Sequence, residues 1–465
     1  MTVEERAAQT EAAQIARRIR LETNPEIGWM DVEPKTTNFN YPLLTPERSF
    51  PTLIYRSQPS LLIIFLRFMP PLLVKRIMDD LPEKSWVLRQ SRQGQIYPRV
   101  STIYKCIAIY IRIQGLQNKS SESHPIRNPL KTAISEARHH FDTTFNNQRT
   151  ECKTPGNDVI EKVFANFLIT KNYFKDLSAN FQSIIVELGQ YVAGDEKLFR
   201  FTGNSNLVRM VPHKPDKVGL WYYELVCRLR TGQPYLLYFR LHDAFEQTIS
   251  PTEIVKDWCR VIRRKDVPGA VYKRETMLAF DGYYETKDSR AFLNDPVEGV
   301  LFVGSVIKER VKWLFDRVCD KIEKPGDWHL IHNQTTGETF SYVWDTNKDV
   351  GKKLTLSNAF TRTNGKWEGP YSVLYRTYKQ MFADCDNFNR SLKDRTWPHR
   401  KGGRNSQGAF GNQHDFAFST ILQNTFNVYN SMLSENTQIS TFRDNALILS
   451  DALYEYICNG ELDTY

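Results

Sequence analysis

What most constrains the fold is a series of short apolar stretches whose order alternates strand and helix. From Gln190 come QYVAGDEKL, then Leu220 to Leu229 (LWYYELVCRL), then Tyr235 to His242 (YLLYFRLH). Runs rich in aromatic and β-branched residues, bounded by turn residues, predict three strands, the last two joined at RTGQP. Ser250-Pro-Thr-Glu then opens a helix to Arg264, with Ser or Thr as N-cap, Pro in the first turn and Glu soon after. A strand follows at Glu275 to Phe280, a short helix near Ser289 to Asn294, and a strand at Gly299 to Val306. That order predicts an α/β layer with mixed strand directions.

The flanking sequence has a different texture. WHLIHN (328 to 333), ETFSYVWD (338 to 345) and KKLTLSNAF (352 to 360) predict short strands in a small β-rich insertion. Helical patterning returns at Tyr371 to Leu392, His414 to Met432 and Phe442 to Ile457. Upstream, residues 22 to 52 lack periodicity and predict an extended arm. Between Pro59 and Asn180, helical stretches at Val100 to Ile113, Asn128 to His140 and Val159 to Ala179 alternate with polar breaks. One of these breaks is the loop QNKSSESHPIRNP, residues 117 to 129.

A chain of 465 residues carries two or three domains with real cores. Lys plus Arg is 62 against 53 Asp plus Glu, a formal charge of +9, which permits a nucleic-acid partner without requiring one. Seven cysteines never fall at CxxC spacing. Their odd number and wide scatter argue against a disulfide framework and a thiolate zinc site, and point to a reducing compartment. The N-terminal MTVEERAAQTEAAQIARRIRLE has no apolar core, unlike a signal peptide. The most apolar run, LLIIFLRFMPPLLV (61 to 74), contains Arg67 and Pro70-Pro71 and is too short for a bilayer core of about 30 Å. It reads as a buried helix ending at the prolines, and the chain as soluble, with no membrane partner.

Three aspartates stand out by position. Asp195 ends the first predicted strand, Asp281 ends the fourth, and Asp386 lies in the helix after the insertion. Carboxylates at strand ends, with one on a facing helix, can converge on one sheet edge. There they can hold two Mg²⁺ (or Mn²⁺) ions about 3.5–4 Å apart for phosphoryl transfer. Spacing alone does not single these three out from the chain's other aspartates.

Local sequence does. GDEKLFRFTGNSNLVRMVPHKPDKVG resembles the DE-x-x-x-x-F-x-G-R block and the Pro-x-Lys-Pro-x-x-x-Gly segment of the piggyBac transposase family, at Asp195, Glu196, Phe201, Gly203, Pro212, Lys214, Pro215 and Gly219. LAFDGYYET is similar to that family's strand ending in Asp-Asn-aromatic-aromatic-Thr-Ser, and GVLFVGSVIKER to its Val-Gly-Thr-x-(Lys/Arg)-x-x-Arg segment. WDTNKDVGKKLTLSNAF, YKQMFADCDNFNRSL and TILQNTFNVYNS resemble three further blocks, in one order over roughly residues 60 to 435.

The resemblance implies a ribonuclease H-like catalytic domain interrupted by a β-rich insertion. Its segments would be a flexible arm (1–52), a helical dimerisation or DNA-binding domain (53–187), the first part of the core (188–310), the insertion (311–370), and the rest of the core with C-terminal helices (371–465). It also implies metal-dependent cutting and joining of double-stranded DNA by Asp195, Asp281 and Asp386 at TTAA targets, by a nuclear homodimer.

Departures from the family pattern matter too. Its second Asp in the third block falls on Asn389, its Gly-Gly pair on Ala383 and Asp384, and Gly282 stands where Asn is usual. Asn389, three residues from Asp386 on a helix, shares its face and could reach the metal site through its carbonyl or a water. Beyond Cys385 only Cys458 remains, so the family's terminal zinc module is absent from this sequence. A domesticated, non-catalytic DNA-binding or scaffold protein is therefore the alternative to an enzyme.

The remaining candidates each have a plain structural reading. Glu196 follows Asp195 on the strand and points to the other face, which suits a structural bond better than a metal. Lys214 is a phosphate contact or a solvated turn residue. Arg260, Arg263, Arg264 and Lys265 complement a helix dipole or line a DNA path. Arg400, Lys401 and Arg404, in PHRKGGR, touch a DNA backbone or serve solubility alone. His139, His140, His329 and His332 lack partner ligands at useful spacing. Trp221, Tyr222 and Tyr223 suit sheet packing.

Overall fold

The computed structural model describes residues 29–32, 39–40, 50–80, 90–91, 94–95, 99–116, 171–200, 208–211, 217–242, 249–264, 267, 276–333, 336–347, 350–359, 361–362, 373–393, 409–433 and 441–460. The expected helix at 128–140 lies outside these residues, as does the expected helix at 159–179 up to residue 170; its remainder from residue 171 is helical. In chain order come strand β1 (Trp29–Val32) and helices α1 (Leu61–Phe68), α2 (Pro71–Asp80) and α3 (Val100–Leu116). Strands β2 (Tyr191–Arg200), β3 (Val208–Met210), β4 (Val218–Arg228) and β5 (Pro234–Leu241) precede helix α4 (Pro251–Ile262). Then follow β6 (Met277–Phe280), α5 (Lys287–Leu293), β7 (Leu301–Ser305), α6 (Lys312–Val318), β8 (Trp328–Asn333), β9 (Thr339–Trp344) and β10 (Lys352–Ser357). Helices α7 (Val373–Lys393), α8 (Ala409–Ser431) and α9 (Phe442–Cys458) complete the chain. The architecture is mixed α/β, as the element order predicts.

The chain divides into two units, one of residues up to 45 with 274–382, the other of 46–273 with 383–465. The boundary falls inside α7, between Phe382 and Ala383.

In the second unit, β2, β4 and β5 form an antiparallel meander with β3 beside β4. Helix α1 starts at Ser60, whose hydroxyl accepts from the Ile63 N–H at 3.2 Å, and buries Leu61, Ile64, Phe65 and Phe68. Phe68 meets Phe181 edge-on at 5.0 Å between ring centres. Pro71 opens α2, where its missing N–H is harmless, so the apolar run is two helices instead of one. The end strand β5 bulges between Leu236 and Tyr238. There the Asn424 side chain of α8 donates to Leu236 O at 2.8 Å and accepts from Leu236 N at 3.0 Å. A second amide, Asn427, donates to Pro234 O at 2.6 Å. The Asn-rich helix motif thus covers backbone groups that an edge strand would otherwise expose.

In the first unit, β6 and β7 are parallel and joined through α5, while β10 pairs antiparallel with β7. Strands β9, β8 and β1 extend the same sheet. The β-rich insertion is therefore a continuation of the sheet. Residues 29–32 are a paired strand where an extended arm was expected, and Trp29, 6% exposed, meets Trp313 edge-on at 5.8 Å. No helix among the described residues is long and apolar enough to cross a membrane.

Asp345, at the end of β9, is wholly buried and ties the sheet to the start of α7. Its Oδ2 accepts from Tyr375 Oη at 2.6 Å and Lys379 Nζ at 3.1 Å, and its Oδ1 from Asn347 N at 2.9 Å. Burial pushes this carboxyl up, but the three donors and the Lys379 charge hold it below its usual value. A lowered native pKa gives stability that is present above the unfolded value, about 3.9, and lost as pH falls through the native one. Asp345→Asn should therefore be less stable than wild type at neutral pH. In denaturant titrations the difference should narrow below about pH 3.9; a gap independent of pH would refute it.

Candidate active site

Asp195 lies in the middle of β2, not at a strand end as its sequence suggests, and is 7% exposed. The strand continues because Lys197 is also buried, at 7%, and Phe199 packs inside. Next to Asp195, a Cβ on Gly194 would fall 2.7 Å from the Trp258 ring of α4. Only glycine lets that helix lie so close to the backbone that carries the aspartate. Directly across the ladder from Asp195 is Glu224 of β4, which is fully buried. Opposed residues in an antiparallel pair share a face, and like charges there repel unless something intervenes.

Helix α7 supplies what intervenes. Asn389 donates its amide to Glu224 Oε1 at 2.6 Å, and its main-chain oxygen accepts from Lys197 Nζ at 3.2 Å. Its own Oδ1 accepts no hydrogen bond among the described residues. Five residues earlier, Asp384 takes a forked contact from Arg228, with Nε to Oδ1 at 2.9 Å and Nη2 to Oδ1 at 2.7 Å. Burial pushes the Asp384 carboxyl up, and Arg228 only partly offsets it. Between them Cys385 donates to Ala193 O at 3.4 Å. Burial lifts its thiol well above the ordinary value, and the charges of Glu224, Asp195, Asp384 and Asp386 add to the effect. Asp386 is exposed on this acid-rich stretch of helix. Glu196, opposite Tyr223 in the register, is on the other face of β2.

Asp281, in the first unit, follows the last residue of β6 and is exposed. Its Oδ1 accepts from Gly282 N and from Ser305 Oγ, both at 2.6 Å. Ser305 ends the parallel neighbour β7, so the strand pairing itself delivers the hydroxyl. Arg310 holds the following turn, donating from Nη1 to Gly282 O at 2.7 Å, Tyr283 O at 3.2 Å and Glu285 O. The Gly-Ser…Arg segment of the sequence is thus the frame that orients Asp281. A Cβ on Gly282 would lie 3.2 Å from both Ile307 Cγ1 and Ser305 Oγ, which makes a larger residue there tight.

Among the described residues no three His, Cys, Asp or Glu side chains gather so as to hold a metal ion. Lys214, Lys265, Arg400, Lys401 and Arg404 lie outside the described residues. Arg264 does not fit a DNA path. It is 3% exposed, has a φ of 58°, and donates from Nη2 to Gln182 O at 2.9 Å and to Ile185 O. It closes α4 and caps carbonyls of a neighbouring segment, so its charge faces inward. Arg264→Met would leave those carbonyls buried and unpaired, at about 1–3 kcal/mol for the loss of each partner. Urea unfolding should show a drop of that order with DNA affinity unchanged; reduced affinity in a stably folded variant would return Arg264 to the DNA surface.

No family model and no curated protein matches the sequence. Among solved structures, the cryo-EM structure of a piggyBac transposase synaptic complex with hairpin DNA matches with a TM-score of 0.63 at 13% identity, covering 89% of this chain and 84% of that one. The chain has the fold of a piggyBac transposase. At this identity the agreement is one of backbone course, so the chemistry has to be argued from this chain's own side chains. Glu224, Lys197, Ser305 and Arg310 are the residues that sequence reasoning did not single out. The available signal was a charged residue at a core-facing position of an apolar strand, as in the Glu of LWYYELV.

Proposed function

We propose that the chain is a piggyBac-like DNA transposase with a ribonuclease H-like core. In this reading it cuts and joins double-stranded DNA at TTAA targets through Asp195, Asp281 and Asp386. The supporting observation is the likeness of fold across 89% of the chain. An antiparallel three-strand meander, a crossover helix and a parallel strand pair follow one another in the chain order such a core uses. Action on DNA, a homodimeric assembly and a nuclear location belong to the same proposal.

The donor chemistry fits Mg²⁺ or Mn²⁺. All three side chains offer hard carboxylate oxygens, and Mg²⁺ needs only one or two carboxylates each, with waters and substrate phosphates completing the shell. Asp281 is already oriented by two donors to one oxygen, the kind of outer support that metal-holding carboxylates receive. Bound in pairs, such ions supply activation of a water or 3′ hydroxyl and stabilisation of the departing oxygen. Asp195 would offer its carboxylate from a rigid buried strand and Asp386 from an exposed helix face. Asn389, engaged with Glu224, would have only its Oδ1 to offer.

That engagement favours one second reading, a DNA-binding scaffold descended from a transposase. Strand cleavage of a TTAA-flanked duplex decides between them. Cutting at the TTAA flank that requires Mg²⁺ or Mn²⁺ supports the enzyme; binding without cutting in either metal supports the scaffold.

A further inference from the structure

Lys197 is the unusual member of the buried group on β2 and β4. Alternation puts it on the same face as Asp195, about 6.6 Å further along the strand. It is as buried as Asp195, and Glu224 stands opposite Asp195 with no exposure at all. The ammonium is fixed 3.2 Å from the main-chain oxygen of Asn389, the residue whose side chain holds Glu224. One carboxylate and one ammonium are thus drawn to a single residue of α7, with Asp195 directly across the ladder from the first and two residues before the second. Burying two like charges without a cation carries a heavy desolvation and repulsion penalty. Asp195, Glu224 and Lys197 together carry one net negative charge, and without Lys197 two, while Arg228 on the same face of β4 is matched by Asp384.

We propose that Lys197 is the built-in counter-cation of the Asp195–Glu224 pair, the group that keeps this corner folded when no metal is bound. It is a positioning residue: it acts by holding Asp195, Glu224 and α7 together and leaves the reacting atoms to the aspartates. The inference rests on the proposed role of Asp195 as a metal-holding carboxylate. It adds that the chain has no need of the metal for its structure, because part of the charge neutralisation is internal. A divalent ion then meets a preformed site whose total charge is already reduced.

The test is thermal unfolding of the full chain in EDTA and across a Mg²⁺ titration. Wild type should fold fully in EDTA and gain from Mg²⁺ only the modest increment that binding itself confers. Lys197→Met should fall by roughly 5–10 °C in EDTA and recover most of that as Mg²⁺ is added. Adding Asp195→Asn to the Lys197→Met background should abolish the recovery. If Lys197→Met does not fold in EDTA, Lys197→Met/Glu224→Gln decides, because it removes one charge of each sign and keeps an acceptor for Asn389. That double variant should fold and melt above Lys197→Met without metal. The proposal is overturned if the double variant is no better than Lys197→Met, or if wild type gains as much from Mg²⁺ as Lys197→Met does. Recovery in the double variant without any Mg²⁺ effect in Lys197→Met would uphold the charge balance and reject the metal-holding role of Asp195.

Discussion

Asp281→Asn should bind DNA and melt like wild type, yet lose Mg²⁺-dependent cleavage. The side chain is exposed, so removing its charge uncovers no buried partner. Asparagine keeps an oxygen where Ser305 Oγ donates at 2.6 Å and Gly282 N at 2.6 Å, so the turn held by Arg310 should survive. What disappears is one unit of negative charge directed at a hard cation, and a neutral amide is a much weaker ligand for Mg²⁺. Removing one neutral donor from a preorganised site costs on the order of a hundred- to a thousandfold in rate, and loss of a charged ligand should cost at least as much. Ser305→Ala leaves the carboxylate and removes its orientation, so a milder loss of about 10–100-fold in metal affinity is expected. Single-turnover cleavage with a Mg²⁺ titration separates the two. Equal cleavage by wild type and Asp281→Asn would remove Asp281 from the chemistry.

How far the sequence reveals this site depends on the range of the interactions. β4, β5 and α4 are legible because their signals are local: apolar runs broken by RTGQP, and Ser250 accepting from Glu253 N at 3.2 Å with Pro251 behind it. The Asp281 turn is legible only in part: Ser305 and Arg310 lie within one short motif, but the turn they hold is 24 and 28 residues upstream, so their role there does not show in the sequence. Strand β1 is not, since four residues cannot display a period and its pairing with β8 is made across most of the chain. β2 reads from sequence as ending at Asp195, before the charges Glu196 and Lys197, and only tertiary burial carries it on to Arg200. Arg264 reads as part of a basic helix end because the carbonyls it caps lie 82 and 79 residues upstream. Glu224 is hidden likewise: the amide that makes its burial tolerable comes from 165 residues downstream.

The Glu224–Asn389 contact makes Asn389→Asp a sharp test of the α7 placement. Read from sequence, that change restores an acid that the family pattern has at this position and should be mild. In the structure it exchanges a donor for a second carboxylate 2.6 Å from a fully buried one. The hydrogen bond is lost and a half-buried carboxylate is set against the fully buried Glu224, a change that costs up to roughly 3–5 kcal/mol. Lys197 donates to the main-chain oxygen of residue 389, which the substitution leaves alone, so it offsets only part of this. Forced together, one of the two carboxyls should hold its proton to a higher pH than it does unfolded. A raised native pKa favours the fold at low pH and loses that advantage as pH rises. The variant should therefore approach wild-type stability in acid and fall behind it toward neutrality, as read by urea unfolding at a series of pH values. Glu224→Gln/Asn389→Asp restores the bond with donor and acceptor exchanged, and should recover most of the loss; the coupling between the two sites measures the contact directly. Asn389→Asp as stable as wild type at neutral pH would mean that the two side chains do not meet, and that the face of α7 turned to β4 is not the one carrying Asn389.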